Sequence, residues 1–350
     1  MRPLASPRAL CLLAAALVVF AAGCGGDSSS SGDRDAAVNA VATTTQVADI
    51  VRNVGGARIE VRQLLQPNSD PHGYEPRPSD AAALAEADVV IRSGGEVDEW
   101  LDGLIANAGG DAPVVDLIET AVDVEGDPHP GDDAHEDEAH EDEGIEGHAD
   151  GEDGVDDGDH AHGDGEDPHW WQDPRHAVRA VAAIEAALTE ADPGGRAVYR
   201  RNADAYAERL RRLDRNVAAC IERIPPAKRR LVTTHDALGH YADRYGLTVV
   251  GALIPSRSTA AQPSAGDTQD LVEQIREQDV EAIFPESSLA PRLEQAVARE
   301  TGATVGRPLW VDALGPAGSG GATYVESIQS NTAAIVDGLS GGAERCRPDA

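Results

Sequence analysis

The sequence predicts an α/β protein of two lobes, each a four-stranded, mainly parallel sheet flanked by helices, joined by a long rigid backbone helix. Three observations carry this. Short β-branched runs alternate with amphipathic helical runs in the first third of the chain, the grammar of parallel strands with crossover helices. The same alternation returns after residue 225. Between them, Tyr199, Ala203, Tyr206, Leu210, Leu213, Val217, Ile221 and Ile224 step by three and four, as one face of a single helix does.

The first residues of the 350-residue chain lie outside this fold. Arg2 and Arg8 precede an apolar stretch over 10–22, the length of a signal-peptide core and too short to span a bilayer. Small residues directly before Cys24 are similar to a bacterial lipobox, with Ala21 where Leu is usual. That similarity implies a lipoprotein signal over 1–23, lipid on the Cys24 thiol and a flexible Ser/Gly tether over 24–37.

The N-terminal lobe is expected over 38–175. "VNAVATTT" and "RIEVRQLL" read as strands around a short helix over 47–54, and a helix capped by Ser79 or Asp80 leads to a strand at 89–91. "VDEWLDGLIANAG" is an amphipathic helix ending at Gly109, and "APVVDL" is the fourth strand. Linking helices follow over 176–224. The first is capped by Asp173 with Pro174 in its opening turn, the favoured order. The second, at roughly thirty residues, makes a rod of about 45 Å, stiff enough to predict a small lobe closure. The C-terminal lobe, 225–350, takes its strands from "RRLVTTH", "LTVVGAL", "EAIFPES" and "TVGRPLWVD", with helices between them.

Charge and cysteine usage narrow the function. Between residues 123 and 167 lie 21 acids, six histidines and no Lys or Arg, and setting those acids aside reduces the formal net charge from −33 to −12. The acidity is therefore local, and a basic patch for nucleic acid is missing. With so few apolar residues this segment is expected to be a disordered loop. Its His129, His135, His140, His148, His160 and His162 suit weak, shifting capture of borderline cations. Cys220 and Cys346 are left as possible disulfide partners in an oxidising compartment, their proximity open.

Five histidines lie in ordered sequence. Asp-Pro-His occurs at 70–72, 127–129 and 167–169, yet the copies differ. His169 is followed by Trp170 and Trp171, whose burial would pin the segment to the fold, whereas His129 has no such anchor. His72 falls beyond the end of the second strand, His235 at the end of "LVTTH", and Asp312 at the end of "TVGRPLWVD". Ligands of open α/β sheets bind outside the carboxyl ends of strands, so these four candidates, two per half, share one edge. Glu286 is a second candidate oxygen ligand, and Glu286 and Asp236 are candidates for orienting the rings. His176 and His240 sit within helices, beyond the strand edge, and are expected to lie on the surface or to pack.

"DPHGYEPRPSD", "DPHWWQDP", "THDALGHYADRYGL" and "IFPESSLAPRLEQAVARETGA" resemble the signature segments of the zinc/manganese solute-binding lipoproteins of bacterial ABC transporters, the cluster A-I metal receptors. The resemblance runs in order along nearly the whole mature chain. It implies a two-lobed receptor, not an enzyme, that binds one metal through His72, His169, His235 and Asp312 and hands it to a membrane permease. It also implies an extracytoplasmic, membrane-anchored monomer. Manganese members carry Glu in place of His235, so this position assigns the cargo as Zn²⁺, and three imidazoles with one carboxylate suit that ion. A Mn²⁺ or Fe²⁺ receptor of the same family is the alternative. A zinc hydrolase is a further one, weakened by the lack of HExxH and by a carboxylate where activated water would sit. A passive metal buffer or adhesin is the last.

Overall fold

The computed structural model describes residues 38–122 and 167–350. The signal and tether, Cys24 and the six loop histidines lie outside the described residues. Two parallel four-stranded sheets organise the chain. The first contains β1 (Val38–Ala42), β2 (Ile59–Gln63), β3 (Val89–Arg92) and β4 (Val114–Asp116) in the order β2-β1-β3-β4. Helices α1 (Thr45–Gly55), α2 (Pro78–Ala85) and α3 (Trp100–Ala108) connect them, and a short α4 (Ile118–Ala121) follows. α5 (Pro174–Ala191) and α6 (Arg196–Ile221) then lead to the second sheet. Its strands are β5 (Arg230–His235), β6 (Thr248–Ile254), β7 (Ala282–Phe284) and β8 (Thr304–Val305), in the order β6-β5-β7-β8. Between them run α7 (Gly239–Tyr245), α8 (Ala265–Glu277) and α9 (Arg292–Thr301), and α10 (Tyr324–Leu339) closes the fold.

The two strand orders are the same, so each sheet has one place where successive connections leave in opposite directions: between β1 and β3, and between β5 and β7. Crevices for ligands form at such switch points. One apolar core joins the sheets through α1, α5, α6 and α10, and runs from Val38 and Ile91 through Leu210 and Val217 to Phe284 and Ile335. Smaller clusters cover the outer faces, one around Leu253, Leu271 and Ile283 and one around Leu84, Val90 and Leu101. A continuous core between the sheets makes wide separation costly, because interiors pack as densely as organic crystals.

Three local expectations differ from the structure. α2 starts earlier than expected, at Pro78 with Arg77 as its cap; Asp80 reaches back from the first turn, its Oδ2 accepting the Arg77 backbone N–H at 2.7 Å. α6 has 26 residues, about 39 Å of helix, because the Pro225-Pro226 pair beyond Ile224 cannot continue it. β8 stops at Val305, since Pro308 lacks the N–H a ladder needs; pairing resumes only as an isolated bridge between Glu286 and Leu309. The helix α10 was not foreseen. Its start is marked by Thr323, whose side chain accepts the Glu326 N–H, and it buries Tyr324, Ile328, Ile335 and Leu339 against α6 and α1.

Cys220 of α6 and Cys346 are joined by a disulfide, with Cα atoms 5.5 Å apart across 126 residues of chain. The tail is also held by Asn216 Nδ2 donating to the Asp349 carbonyl at 3.0 Å and Gln329 Nε2 to that of Pro348 at 2.8 Å. A crosslink closing so long a loop removes much of the unfolded chain's freedom. The Cys220→Ser/Cys346→Ser variant should lose about 2–4 kcal/mol of stability in urea unfolding, and reductant should destabilise the unsubstituted chain equally. Equal midpoints for oxidised and reduced protein would contradict this.

Candidate metal centre

His72 and His169 are presented by the same local device. After β2, Leu64 and Leu65 keep pairing with Ala42 and Thr43 and are buried. The chain then leaves the sheet, and Asp70 Oδ1 accepts the backbone N–H of His72 at 2.9 Å. In the later copy of Asp-Pro-His, Asp167 Oδ1 accepts the backbone N–H of His169 at 3.0 Å. An Asp that bonds its own backbone two residues on is an Asx turn, and the intervening Pro stiffens it. The two carboxylates differ in their other contacts. Asp70 Oδ2 accepts from Thr259 Oγ1 at 2.6 Å, across to the second lobe. Asp167 lies 2.7 Å from the Nδ1 of the His169 ring and fixes its orientation.

Trp170 and Trp171 anchor the second copy. Trp170 Nε1 donates to the Ser93 carbonyl at the end of β3 at 3.1 Å, so the indole fills the switch point of the first sheet. Trp171 donates to the Val311 carbonyl at 2.9 Å. Both rings are buried. His235 is the last residue of β5, at the switch point of the second sheet, and its Nδ1 lies 3.2 Å from Glu286 Oε2 beyond β7. Asp312 follows the Glu286–Leu309 bridge.

The structure brings His72, His169, His235 and Asp312 together, with one ligating atom of each within 4.8 Å of all the others. The three rings form a near-equilateral triangle, with centroids 5.3, 5.7 and 5.9 Å apart. Asp312 caps it: its Oδ2 is 3.3 Å from His72 Nε2 and 3.2 Å from His235 Nε2, and its Oδ1 is 3.5 Å from His169 Nε2. All four side chains are buried, His72 at 2% exposure being the most accessible. Yet none of these contacts has hydrogen-bond geometry, and the three Nε2 atoms and both Asp312 oxygens lack a hydrogen-bond partner among the described residues. Buried polar atoms are almost always bonded. Five gathered on four residues whose ligating atoms lie within 4.8 Å of one another form a group that could hold a cation.

Electrostatics agree. Burial opposes charge on His235, but the carboxylates of Asp312 and Glu286 beside it lift its pKa well above the ordinary value. Burial would likewise raise Asp312, yet the neighbouring imidazoles hold it well below the usual carboxylate range. Glu286 is pushed up by burial and by the charge of Asp312. Asp167 is held low, against its burial, by the His169 ring.

The remaining candidates sort differently. His176 and His240 stack edge to face, 4.9 Å apart, and His240 Nε2 lies 3.1 Å from the Asp167 carbonyl. Asp236 lines, with Asp167 and His240, a surface cavity of about 810 Å³ that does not include the four converging residues. Glu286 contacts the far nitrogen of His235 and stands outside the cluster. Asp167 was missed as an orienting group because its place at the end of the acidic run hid it; the signal was its spacing of two before His169.

Residues 40–338 match the family described as ZnuA, the periplasmic component A of the zinc-uptake complex. The chain belongs to the ZnuA family. It is 31% identical over 333 residues to the manganese-binding lipoprotein MntA of Bacillus subtilis, covering 93% of this chain and 98% of that one. MntA of Halalkalibacterium halodurans is 27% identical over 93% of this chain and 96% of its own. Among solved structures, the periplasmic zinc-binding protein TroA from Treponema pallidum superposes with a TM-score of 0.70 at 27% identity, over 86% of this chain and 99% of that one. Other relatives are named as substrate-binding lipoproteins of metal ABC transporters. This ZnuA-family chain is accordingly a binding component and not an enzyme, which sets aside the hydrolase alternative.

Proposed function

We propose that this protein is an extracytoplasmic receptor that captures Zn²⁺ with His72, His169, His235 and Asp312 and delivers it to an ABC permease, held at the membrane by lipid on Cys24. The observation that carries the reading is the set of five partnerless buried atoms around one point. Asp167 and Glu286 take the far nitrogens of His169 and His235, which leaves each Nε2 free to donate its lone pair. Four tetrahedral donors at about 2.0–2.1 Å from a central ion stand about 3.3–3.4 Å from one another. The Asp312 oxygens already lie 3.2–3.5 Å from the three Nε2 atoms. The spacings between carboxylate and imidazoles are therefore close to those that zinc's bond lengths require. The chemistry is capture alone, since a fully protein-ligated ion has no open position for water.

Two observations favour Mn²⁺ as a second reading. Several relatives are named for manganese, and both Asp312 oxygens face the centre, so the carboxylate can bind through two atoms and raise the oxygen count that Mn²⁺ prefers. The donor set still favours zinc, because divalent affinity at nitrogen sites rises from Mn²⁺ towards Zn²⁺. The loop histidines, from His129 to His162, are proposed as an auxiliary, weaker collector. Metal analysis of the purified chain, beside one lacking residues 126–166, tests both ideas. One tightly held Zn²⁺ should survive the deletion while weaker equivalents disappear. Loss of the tight ion with the loop, or stoichiometric Mn²⁺ in the presence of equal Zn²⁺, would contradict the assignment.

A further inference from the structure

We propose that Gln46 and Gln172, with the indole of Trp171, are positioning residues for the metal centre, acting on Asp312 through the backbone carbonyl of Val311. This rests on the reading of Asp312 as a ligand. The imidazoles of His169 and His235 each have a carboxylate behind them, but among the described residues the Asp312 carboxylate has no hydrogen-bond donor of its own. Its direction must come from its main chain. That main chain is held tightly. The Val311 carbonyl accepts Trp171 Nε1–H at 2.9 Å, Gln172 Nε2–H at 3.0 Å and Gln46 Nε2–H at 3.2 Å. A carbonyl oxygen has two lone pairs, so three converging buried donors exceed what satisfying it requires.

The clamp continues on the other side of Asp312. Leu314 N–H donates to Thr45 Oγ1 at 2.8 Å, and the Thr45 hydroxyl donates to Gln46 Oε1 at 2.9 Å. A closed circuit thus runs from residue 314 through the first turn of α1 and back to residue 311, with Asp312 between its ends. The Leu314 carbonyl accepts Asn68 N–H at 2.8 Å from the segment leading to His72, and the His169 carbonyl accepts Gln172 N–H at 3.0 Å. Asp312 is therefore tied to the frame that carries His72 and His169, although it follows β8 in the chain. His235, on β5, is faced instead by Glu286, whose Oε2 lies 3.2 Å from its Nδ1.

The test replaces the two glutamines by leucine, singly and together, in the unsubstituted chain and in an Asp312→Ala background. Zn²⁺ affinity is read by chelator competition at fixed pH, and the absorption spectrum of the Co²⁺-loaded protein reports donor geometry. Gln46→Leu/Gln172→Leu should weaken Zn²⁺ binding about 10–100-fold, the range seen when an orienting partner is lost, and shift the Co²⁺ bands. In Asp312→Ala the same pair should change affinity by less than about twofold, because the clamp then has no carboxylate to direct. Unchanged affinity in the double variant, or an equal loss in both backgrounds, would overturn the inference. Should the double variant unfold, Gln172→Leu alone suffices, since it also removes an acceptor, Oε1, that has no partner. If the unsubstituted chain holds no Zn²⁺ at all, it is the receptor reading that fails, and this inference with it.

Discussion

Replacing His235 with alanine should remove tight metal binding while leaving a folded protein. His235 supplies one of the four converging ligand atoms, and its Nε2 lies 3.2 Å from Asp312. Its removal leaves three donors and an open edge that water can enter. The loss of affinity should exceed the roughly 100-fold seen when only an orienting partner is removed, and Glu286→Gln should fall within that lesser range. His176→Ala and His240→Ala, whose rings stack on each other and are not among the four converging residues, should cost far less than His235→Ala, with His240→Ala the larger of the two because its Nε2 reaches the Asp167 carbonyl. Chelator competition across this series gives the ranking, and near-normal affinity in His235→Ala would refute the site. His235→Glu adds a second carboxylate and should move the preference from Zn²⁺ towards Mn²⁺, a change that competition between the two ions reads directly.

The placement of His235 was legible in the sequence because a β-branched run ending in His, followed by a helical pattern, puts that side chain at a carboxyl strand edge. His72 and His169 were legible through a different logic. Asp-Pro-His is a turn wherever it occurs, and the adjoining tryptophans told the third copy apart from the second. Asp312 was read from a strand that Pro308 in fact cuts short; it reaches the centre because residues 311 and 314 are clamped from the other lobe. No local pattern announces such a contact, since the partners are more than 260 residues apart in sequence. α10 was missed for a comparable reason. Its turns pack on α6 and α1, and helices in proteins depend on such packing more than on propensity. The partnership of Cys220 and Cys346 was open because two cysteines fix no distance until the fold does.

Acid should strip the metal without unfolding the chain. In the metal-free centre the pKa of His235 is raised well above its ordinary value, so at neutral pH that imidazole carries a proton between Asp312 and Glu286. Taking an ion on Nε2 expels that proton, so lowering the pH favours release. Below the raised pKa, affinity should fall about tenfold per pH unit for each proton displaced. Stability responds with the opposite sign. A group whose folded pKa exceeds its unfolded value of about 6.5 contributes stability that is fully present below that value and is lost as pH rises through the folded pKa. Asp312 is shifted the other way, and its contribution disappears only as pH falls through a value well below the carboxylate range. Between about pH 5 and pH 6.5 the imidazolium–carboxylate pair therefore stays intact while the cation is displaced. Calorimetry in buffers of differing ionisation enthalpy should show protons released on Zn²⁺ binding near pH 7. Circular dichroism at pH 5.5 should match that at pH 7.5 after the metal has left. Binding that keeps the same affinity from pH 5.5 to 7.5 would show that no proton occupies the place of the ion.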